Sequence, residues 1–364
     1  MSVLLRELVE VMERIAPTSR AQEWDNVGLI AGDPSQAISR VLLAIDYTPP
    51  VSTEAGEEKA NVVIAYHPPI FKPISRLTFP HVMFEAIRRG IAVYTPHTAL
   101  DAAPGGTNDC LADAVGLTER APITASLRDE SLKLVTFVPA EEVEAVSAAL
   151  FAAGAGRIGQ YSMCSFRTPG TGTFFGDIQA NPTVGQTGRL EKVTEFRLEM
   201  VVPEEAVSAV VAALRKSHPY EEPAFDLVRL AAPPSSVGMG RIGILEQPIE
   251  RPALVERIKR AIGIAHVLVA GPTTGAVEKI AVCAGSCGSM LDAAIAQGAE
   301  VFVTGEIRHH DALKAAAAGV TVICTLHSNS ERLTLARLRQ RLMEALPAVE
   351  FVLSRMDRDP LAVI

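Results

Sequence analysis

The sequence predicts an α/β protein, with a discontinuous, two-lobed α/β core interrupted by an inserted ferredoxin-like α+β domain. Three observations predict it. Short β-branched runs alternate with helical segments in the first third of the chain, the same alternation returns in the last third, and the middle carries a repeated strand–helix unit. The boundaries expected are 1–126 and 233–364 for the two core segments and 127–232 for the insertion. A length of 364 residues suits roughly two domains of ~150 residues each. With 48% hydrophobic residues there is enough apolar material for a core, which excludes disorder as the main state.

The elements follow in order. Leu4, Leu5, Leu8, Val9, Met12 and Ile15 form a helical stripe with Arg6, Glu7, Glu10, Glu13 and Arg14 between them. That predicts an amphipathic helix ending before Pro17 rather than an export signal. Residues 40–46, 61–66 and 91–95 are continuous apolar runs, as strands buried on both faces should be. Helical stretches near 51–59, 81–90 and 108–115 separate or follow them. In the last third, 279–283, 301–304 and 320–325 read as strands, with helices near 290–297 and 310–318.

The middle repeats itself. Residues 134–150 align with 198–214 at an offset of 64, and ten of those 17 positions are identical. Each copy is a strand, then Pro139 or Pro203 with acidic residues after it, then an Ala/Val-rich helix; proline and acids both suit a helix N-terminus. Two such units with further strands give the βαββαβ expectation. Residues 231–236, Ala-Ala-Pro-Pro-Ser-Ser, read as the linker back to the core.

Charge and cysteine content narrow the function classes. A net charge of −8, from 34 basic and 42 acidic residues, argues against global attraction to nucleic acid or an anionic membrane. No apolar run reaches the ~18 residues of a membrane span. Five cysteines, an odd and sparse set, fit a reducing compartment better than a disulfide framework. The expectation is a soluble cytoplasmic protein with no membrane partner.

Histidines carry the chemistry. In α/β sheets, ligand sites gather at the carboxyl ends of strands. His67 follows the strand ending at Tyr66, His97 and Asp101 follow the strand ending near Thr95, and His327 with Glu331 follow the strand ending near Thr325. His327 and Glu331 are spaced i, i+4, one helical turn, so both can reach one ion. Imidazole with carboxylate suits zinc, iron or manganese better than calcium or magnesium. Lys72 and Arg76 are candidates for an anionic substrate group, against the plainer reading of solvated surface charge. After another strand, Glu306, His309, His310 and Asp311 are candidate ligands, orienting residues or a proton relay. The 284–289 turn, Ala-Gly-Ser-Cys-Gly-Ser, offers a weak anion-binding signal. In the middle region His218, Glu221 and Glu222 read as packing in preference to metal binding.

Motifs spread over nearly the whole chain resemble one known family. Trp24-Asp-Asn-Val-Gly-Leu29, Tyr66-His-Pro-Pro-Ile-Phe71, Thr95-Pro-His-Thr-Ala-Leu-Asp101, Gly105-Gly-Thr-Asn108, Thr304-Gly-Glu306 and His327-Ser-Asn-Ser-Glu331 resemble the dinuclear metal-centre, NGG-interacting-factor-like family. Its members are often labelled GTP cyclohydrolase 1 type 2 homologs. The insertion is similar to the trimer-type domain of the family's longer members. The resemblance implies a hexameric toroid with up to two divalent metal ions per subunit. It implies His67, Asp101, His327 and Glu331 as metal ligands, with Asp101 and Glu331 as the bridging carboxylates. One departure stands out: where many members carry two adjacent histidines, this chain has Tyr66-His67.

The expected function is a metal-dependent hydrolase acting on a nucleotide-like or phosphorylated small molecule, with His97, Glu306 or His310 managing protons and Lys72 and Arg76 meeting the substrate. The alternative is a non-catalytic metal-binding regulatory or scaffold assembly. Nucleic acid is disfavoured as a partner by the acidic balance.

Overall fold

The β-branched runs of the first third form the middle of a five-stranded sheet. The computed structural model describes residues 2–125, 131–231 and 236–363. The chain divides into two compact units, Met1–Ser126 with Ser235–Ile364, and Leu127–Pro234.

In the larger unit, the first sheet runs Glu350–Leu353, Arg40–Ala44, Val62–Ala65, Ala92–Thr95, Gly28–Ala31. All pairings are parallel except the last, with registers such as Leu42↔Val63 and Val63↔Val93. The central strands are buried on both faces, which is why they read as continuous rather than alternating apolar runs. One face packs on Leu5, Leu8 and Met12 of the helix Leu5–Ile15 and on Leu335, Leu338 and Leu342 of the helix Leu333–Ala345. The other face packs on Val51, Ala55, Met83 and Ala86.

The second sheet runs Leu268–Ala270, Thr321–Cys324, Val301–Glu306, Ala276–Ser286, Arg241–Glu250, Thr118–Ala121. Only Thr321–Cys324, Val301–Glu306 and Ala276–Ser286 are mutually parallel; the flanking pairings are antiparallel. Two apolar clusters cover its faces. One is centred on Leu111, Val115, Leu254, Ile258 and Val303, the other on Leu291, Phe302, Ala315 and Val322.

The lobes exchange strands. Thr118–Ala121, from the first segment of the chain, is an edge of the second sheet, and Glu350–Leu353, from the last segment, is an edge of the first. The stretch around Leu100, just past the strand Ala92–Thr95, is helical: His97–Ala102 forms a short helix with Thr98, Ala99, Leu100, Asp101 and Ala102 all buried. Burial against the core overrides the weak local helix preference of that segment.

The smaller unit has the order Ser131–Pro139, Val143–Ala152, Phe166–Phe175, Leu190–Pro203, Val207–Ser217, Phe225–Arg229, a βαββαβ chain. Its four strands lie antiparallel in the spatial order second, third, first, fourth, the ferredoxin-like arrangement. Repeat-related positions share the core: Leu134 with Leu198, Val138 with Val202, Val146 with Val210, Leu150 with Leu214.

Among the described residues no helix is long and apolar enough to cross a membrane, and all five cysteines are free.

Candidate metal centre

Strand ends of the larger unit converge on a cavity of about 500 Å³ lined by, among others, Trp24, His67, Phe71, His97, Asp101, His327 and Glu331. His67 leaves the strand Val62–Ala65 through Tyr66, and its backbone N–H donates to the carbonyl of Ile45, just past the end of the neighbouring strand Arg40–Ala44. His327 opens the short helix His327–Glu331 directly after Thr321–Cys324. One turn of that helix brings Glu331 back beneath it, and His327 Nε2 lies 3.3 Å from Glu331 Oε1.

One ligand atom each from His67, His327 and Glu331 falls within 4.8 Å of the others. His67 Nε2 lies 3.4 Å from Glu331 Oε2. The far nitrogens are held by carboxylates: His67 Nδ1 is 3.0 Å from Asp46 Oδ1 and His327 Nδ1 is 3.1 Å from Glu306 Oε1. This is how ligating imidazoles are commonly oriented, with the outer nitrogen donating so that the inner one faces the ion. Glu331 is only 3% exposed, and its Oε2 has no hydrogen-bond partner in the structure. A buried carboxylate oxygen without a donor is costly, and a cation between the two imidazoles is the group that satisfies it. The residues therefore fit a divalent metal ion, and the mixed imidazole–carboxylate set is of transition-metal type.

The electrostatics agree. Burial opposes protonation of His67, but its hydrogen bond to Asp46 and the adjacent carboxylates of Glu331 and Asp46 hold its pKa at about 10. A hydrogen bond to Glu331, opposed by burial, raises His327 to about 9. Burial pushes the Glu331 carboxyl up, and the His327 and His67 imidazoles close beside it more than reverse that, so it lies below its ordinary value. The pocket draws positive charge to this spot.

Glycines make the close approach possible. Gly285 has φ +75°, and a Cβ there would lie 2.8 Å from Glu331 Oε1; one on Gly305 would meet the Gly285 carbonyl at 2.7 Å and His327 Cα at 2.9 Å. The 284–289 turn thus serves the carboxylate as a place where backbone can come close. Both helix starts carry a non-glycine residue at positive φ, Leu326 at 68° and His97 at 24°, a strain of ~1–3 kcal/mol each that tends to occur at functional sites.

Asp101 and His97 form the other half of the pocket. Asp101 is buried, and its Oδ1 accepts a hydrogen bond from the Tyr66 hydroxyl. It is not part of the compact group of ligand atoms. Burial, with the negative charge of Glu331 adding and His97 and Tyr66 opposing, raises its carboxyl to about 6. His97 Nδ1 lies 2.8 Å from Asp25 Oδ1, and Asp25 also accepts from Thr98. The His97 ring sits edge-on to His67 at 5.1 Å between centroids and to Tyr66 at 5.6 Å.

The other candidates lie apart. Lys72 and Arg76 are exposed and are not among the cavity-lining residues. His310 is an exposed residue in the first turn of the helix His309–Ala317, its ring against His309 at 5.4 Å. His218 spends both ring nitrogens on its own unit, near the carbonyl of Phe137 at 3.0 Å and accepting from the Tyr220 N–H at 3.1 Å. Sequence reasoning did not single out Asp46 or Asp25. The signal for Asp46 was present, since it too follows a parallel strand at its carboxyl end.

Residues 3–360 match the family model described as Duf34/NIF3 (NGG1p interacting factor 3). The chain belongs to this family. A Halalkalibacterium halodurans protein named GTP cyclohydrolase 1 type 2 homolog is 36% identical over 365 residues, 98% of each chain. A Mycobacterium tuberculosis protein of the same name is 39% identical over 319 residues, 86% of this chain and 84% of that one. Among solved structures, a Bacillus cereus protein related to NIF3 superposes with a TM-score of 0.72 at 33% identity over the whole of both chains. A Staphylococcus aureus protein gives 0.80 at 29% identity, over 100% of this chain and 99% of that one. The Duf34/NIF3 assignment accords with the two-lobed α/β architecture, and the His67, His327 and Glu331 group could hold a metal ion in it.

Proposed function

We propose that this Duf34/NIF3 chain is a metal-dependent hydrolase acting on a nucleotide-like or phosphorylated small molecule, working as a homohexamer, with zinc, iron or manganese as its ion. The observation that carries the reading is the convergence of two carboxylate-oriented imidazoles and a buried, unsatisfied carboxylate oxygen on one cavity. His67, His327 and Glu331 are the primary ligands, and Asp101 is the residue available to a second ion. A bound divalent ion supplies Lewis acidity toward a phosphoryl or ring-carbon electrophile and a water acidic enough to lose its proton near neutral pH.

The chain's own groups do the rest. Asp46 and Glu306 keep His67 and His327 turned inward. His97, steadied by Asp25, holds or passes a proton at the cavity wall. Trp24 and Phe71 stand at the cavity with 57% and 48% of their surfaces exposed and ring centroids 5.7 Å apart. Exposed aromatics beside a polar centre suit a planar ring on the substrate. The names carried by the relatives, GTP cyclohydrolase 1 type 2 homolog, are consistent with a purine nucleotide as that substrate.

The test is metal content per chain of the purified protein, followed by a hydrolase screen with the ion found. Asp101→Ala should abolish turnover while the oligomer persists. If that variant loses metal or partner binding and no substrate is turned over by the unaltered protein either, the chain is a regulatory metal-binding assembly.

A further inference from the structure

The smaller unit has a cavity of its own, about 600 Å³, within the ~300–1,000 Å³ range of small-molecule sites. Its origin is legible in the strand Phe166–Phe175. Every residue from Thr168 to Phe174 lines the cavity, Gly170 and Gly172 among them. Glycines at 170 and 172 leave bare backbone where side chains would otherwise stand. The opposite strand supplies Glu195 and Arg197, paired in register with Gly170 and Thr168.

Glu195 is the unusual member. It is 8% exposed, yet among the described residues no cation pairs with it. Its Oε1 accepts a hydrogen bond from the Tyr220 hydroxyl at 2.7 Å. Its Oε2 fills the gap left by Gly172, where a Cβ would lie 2.0 Å away. The nearby Arg197 is engaged elsewhere: its Nε donates to Glu199 at 2.7 Å and its guanidinium lies over the Phe137 ring at 5.9 Å. Glu221 and Glu222 add negative charge to the lining, while Phe137, Phe174, Val184 and Ala224 supply apolar walls. A secluded carboxylate lacking a counter-charge is expensive to maintain unless something pairs with it. A bare metal ion does not match, because the only cluster of His, Cys, Asp and Glu ligand atoms among the described residues is the one at His67, His327 and Glu331.

We propose that this cavity binds a small organic cation, an amidinium- or guanidinium-type head on an apolar body, with the head paired to Glu195 and the body against Phe137 and Phe174. A planar, forked cation matches a carboxylate in a two-point hydrogen-bonded pair, and burial strengthens that pair relative to solvent.

The probe is benzamidine, with neutral benzamide as its isostere, titrated against the full-length chain by equilibrium dialysis. Saturable binding of about one benzamidine per chain is expected, with benzamide at least about tenfold weaker. Glu195→Gln should weaken benzamidine by about tenfold or more while leaving the metal content of the His67 site unchanged. Gly172→Ala, which displaces the Glu195 carboxylate, should do the same, and an unchanged melting temperature without ligand certifies each variant as folded. Equal binding of benzamidine and benzamide, full binding by folded Glu195→Gln, or no saturable binding up to about 10 mM, well above a ~1 mM Kd, overturns the proposal. None of these results bears on the metal centre, so the two readings fail separately.

Discussion

The two halves of the metal pocket are built from similar parts and arrive at different states. On one side His67, His327 and Glu331 point at a common spot, and Glu331 keeps an oxygen without a partner. On the other, His97 and Asp101 have the same chemistry and a comparable strand-end position, but Asp101 is satisfied by the Tyr66 hydroxyl. A donor placed on a carboxylate stabilises the empty state and competes with a cation for the same oxygen. Ligand-type residues are therefore not sufficient; a cation site also needs a carboxylate that nothing else in the protein has satisfied.

The largest effect that breaks this contrast is at Glu331. Glu331→Gln removes the charge that draws cations to both imidazoles and places an amide between them. Metal affinity should fall by more than about 100-fold, exceeding the ~10–100-fold typical of outer orienting residues. Elemental analysis of dialysed protein measures it, and a variant that retains its ion would show that Glu331 is a structural acid. Chelation of the unaltered protein should correspondingly lower its melting temperature, since an ion at 100 times its Kd contributes about 2.7 kcal/mol to the folded state.

Next in size is Asp46→Asn, which leaves all three ligands in place but removes the negative charge behind His67 Nδ1. A drop of about 10–100-fold in metal affinity is expected. Because Asp46 is partly exposed, no change in fold should accompany it, and circular dichroism should stay superimposable.

Tyr66 sharpens the comparison from the other side. Tyr66→Phe frees Asp101 without adding a ligand and should cost about 1–3 kcal/mol of stability, because a buried carboxyl loses its donor. Tyr66→His both frees Asp101 and supplies an imidazole, so the metal count should rise from about one ion per chain toward two. If both variants bind the same amount of metal as the unaltered protein, the hydrogen bond from Tyr66 is not what limits the second half of the pocket.

Much of this was readable in the sequence, for identifiable reasons. The central strands announce themselves because burial on both faces demands uninterrupted apolar runs, as in Val62–Ala65 and Ala92–Thr95. The repeat at an offset of 64 exposes the smaller unit because equivalent positions, such as Val146 and Val210, serve the same core. The spacing of His327 and Glu331 is one helical turn, so a local rule captures their meeting. Long-range features were not readable. The edge strands Thr118–Ala121 and Glu350–Leu353 are four residues each, too short to show which sheet they join. Nothing local shows that the Tyr66 hydroxyl reaches Asp101, 35 positions away, or that Gly285 is small because Glu331 needs the space.

The smallest expected effect concerns His310. Its neighbourhood in sequence, Glu306 to Asp311, holds as much metal-ligand chemistry as any stretch of the chain. Yet only Glu306 of that group reaches the centre, as the partner of His327 Nδ1, while His310 is exposed at the start of its helix with its ring edge-on to His309. His310→Ala should therefore change metal affinity by less than about twofold, the scale of an ordinary surface substitution, whereas Glu306→Gln should weaken it by about tenfold. A larger loss at His310 than at Glu306, read in the same dialysis experiment, would mean that the helix His309–Ala317 moves toward the cavity when the ion binds, and that orientation of His327 by Glu306 is secondary.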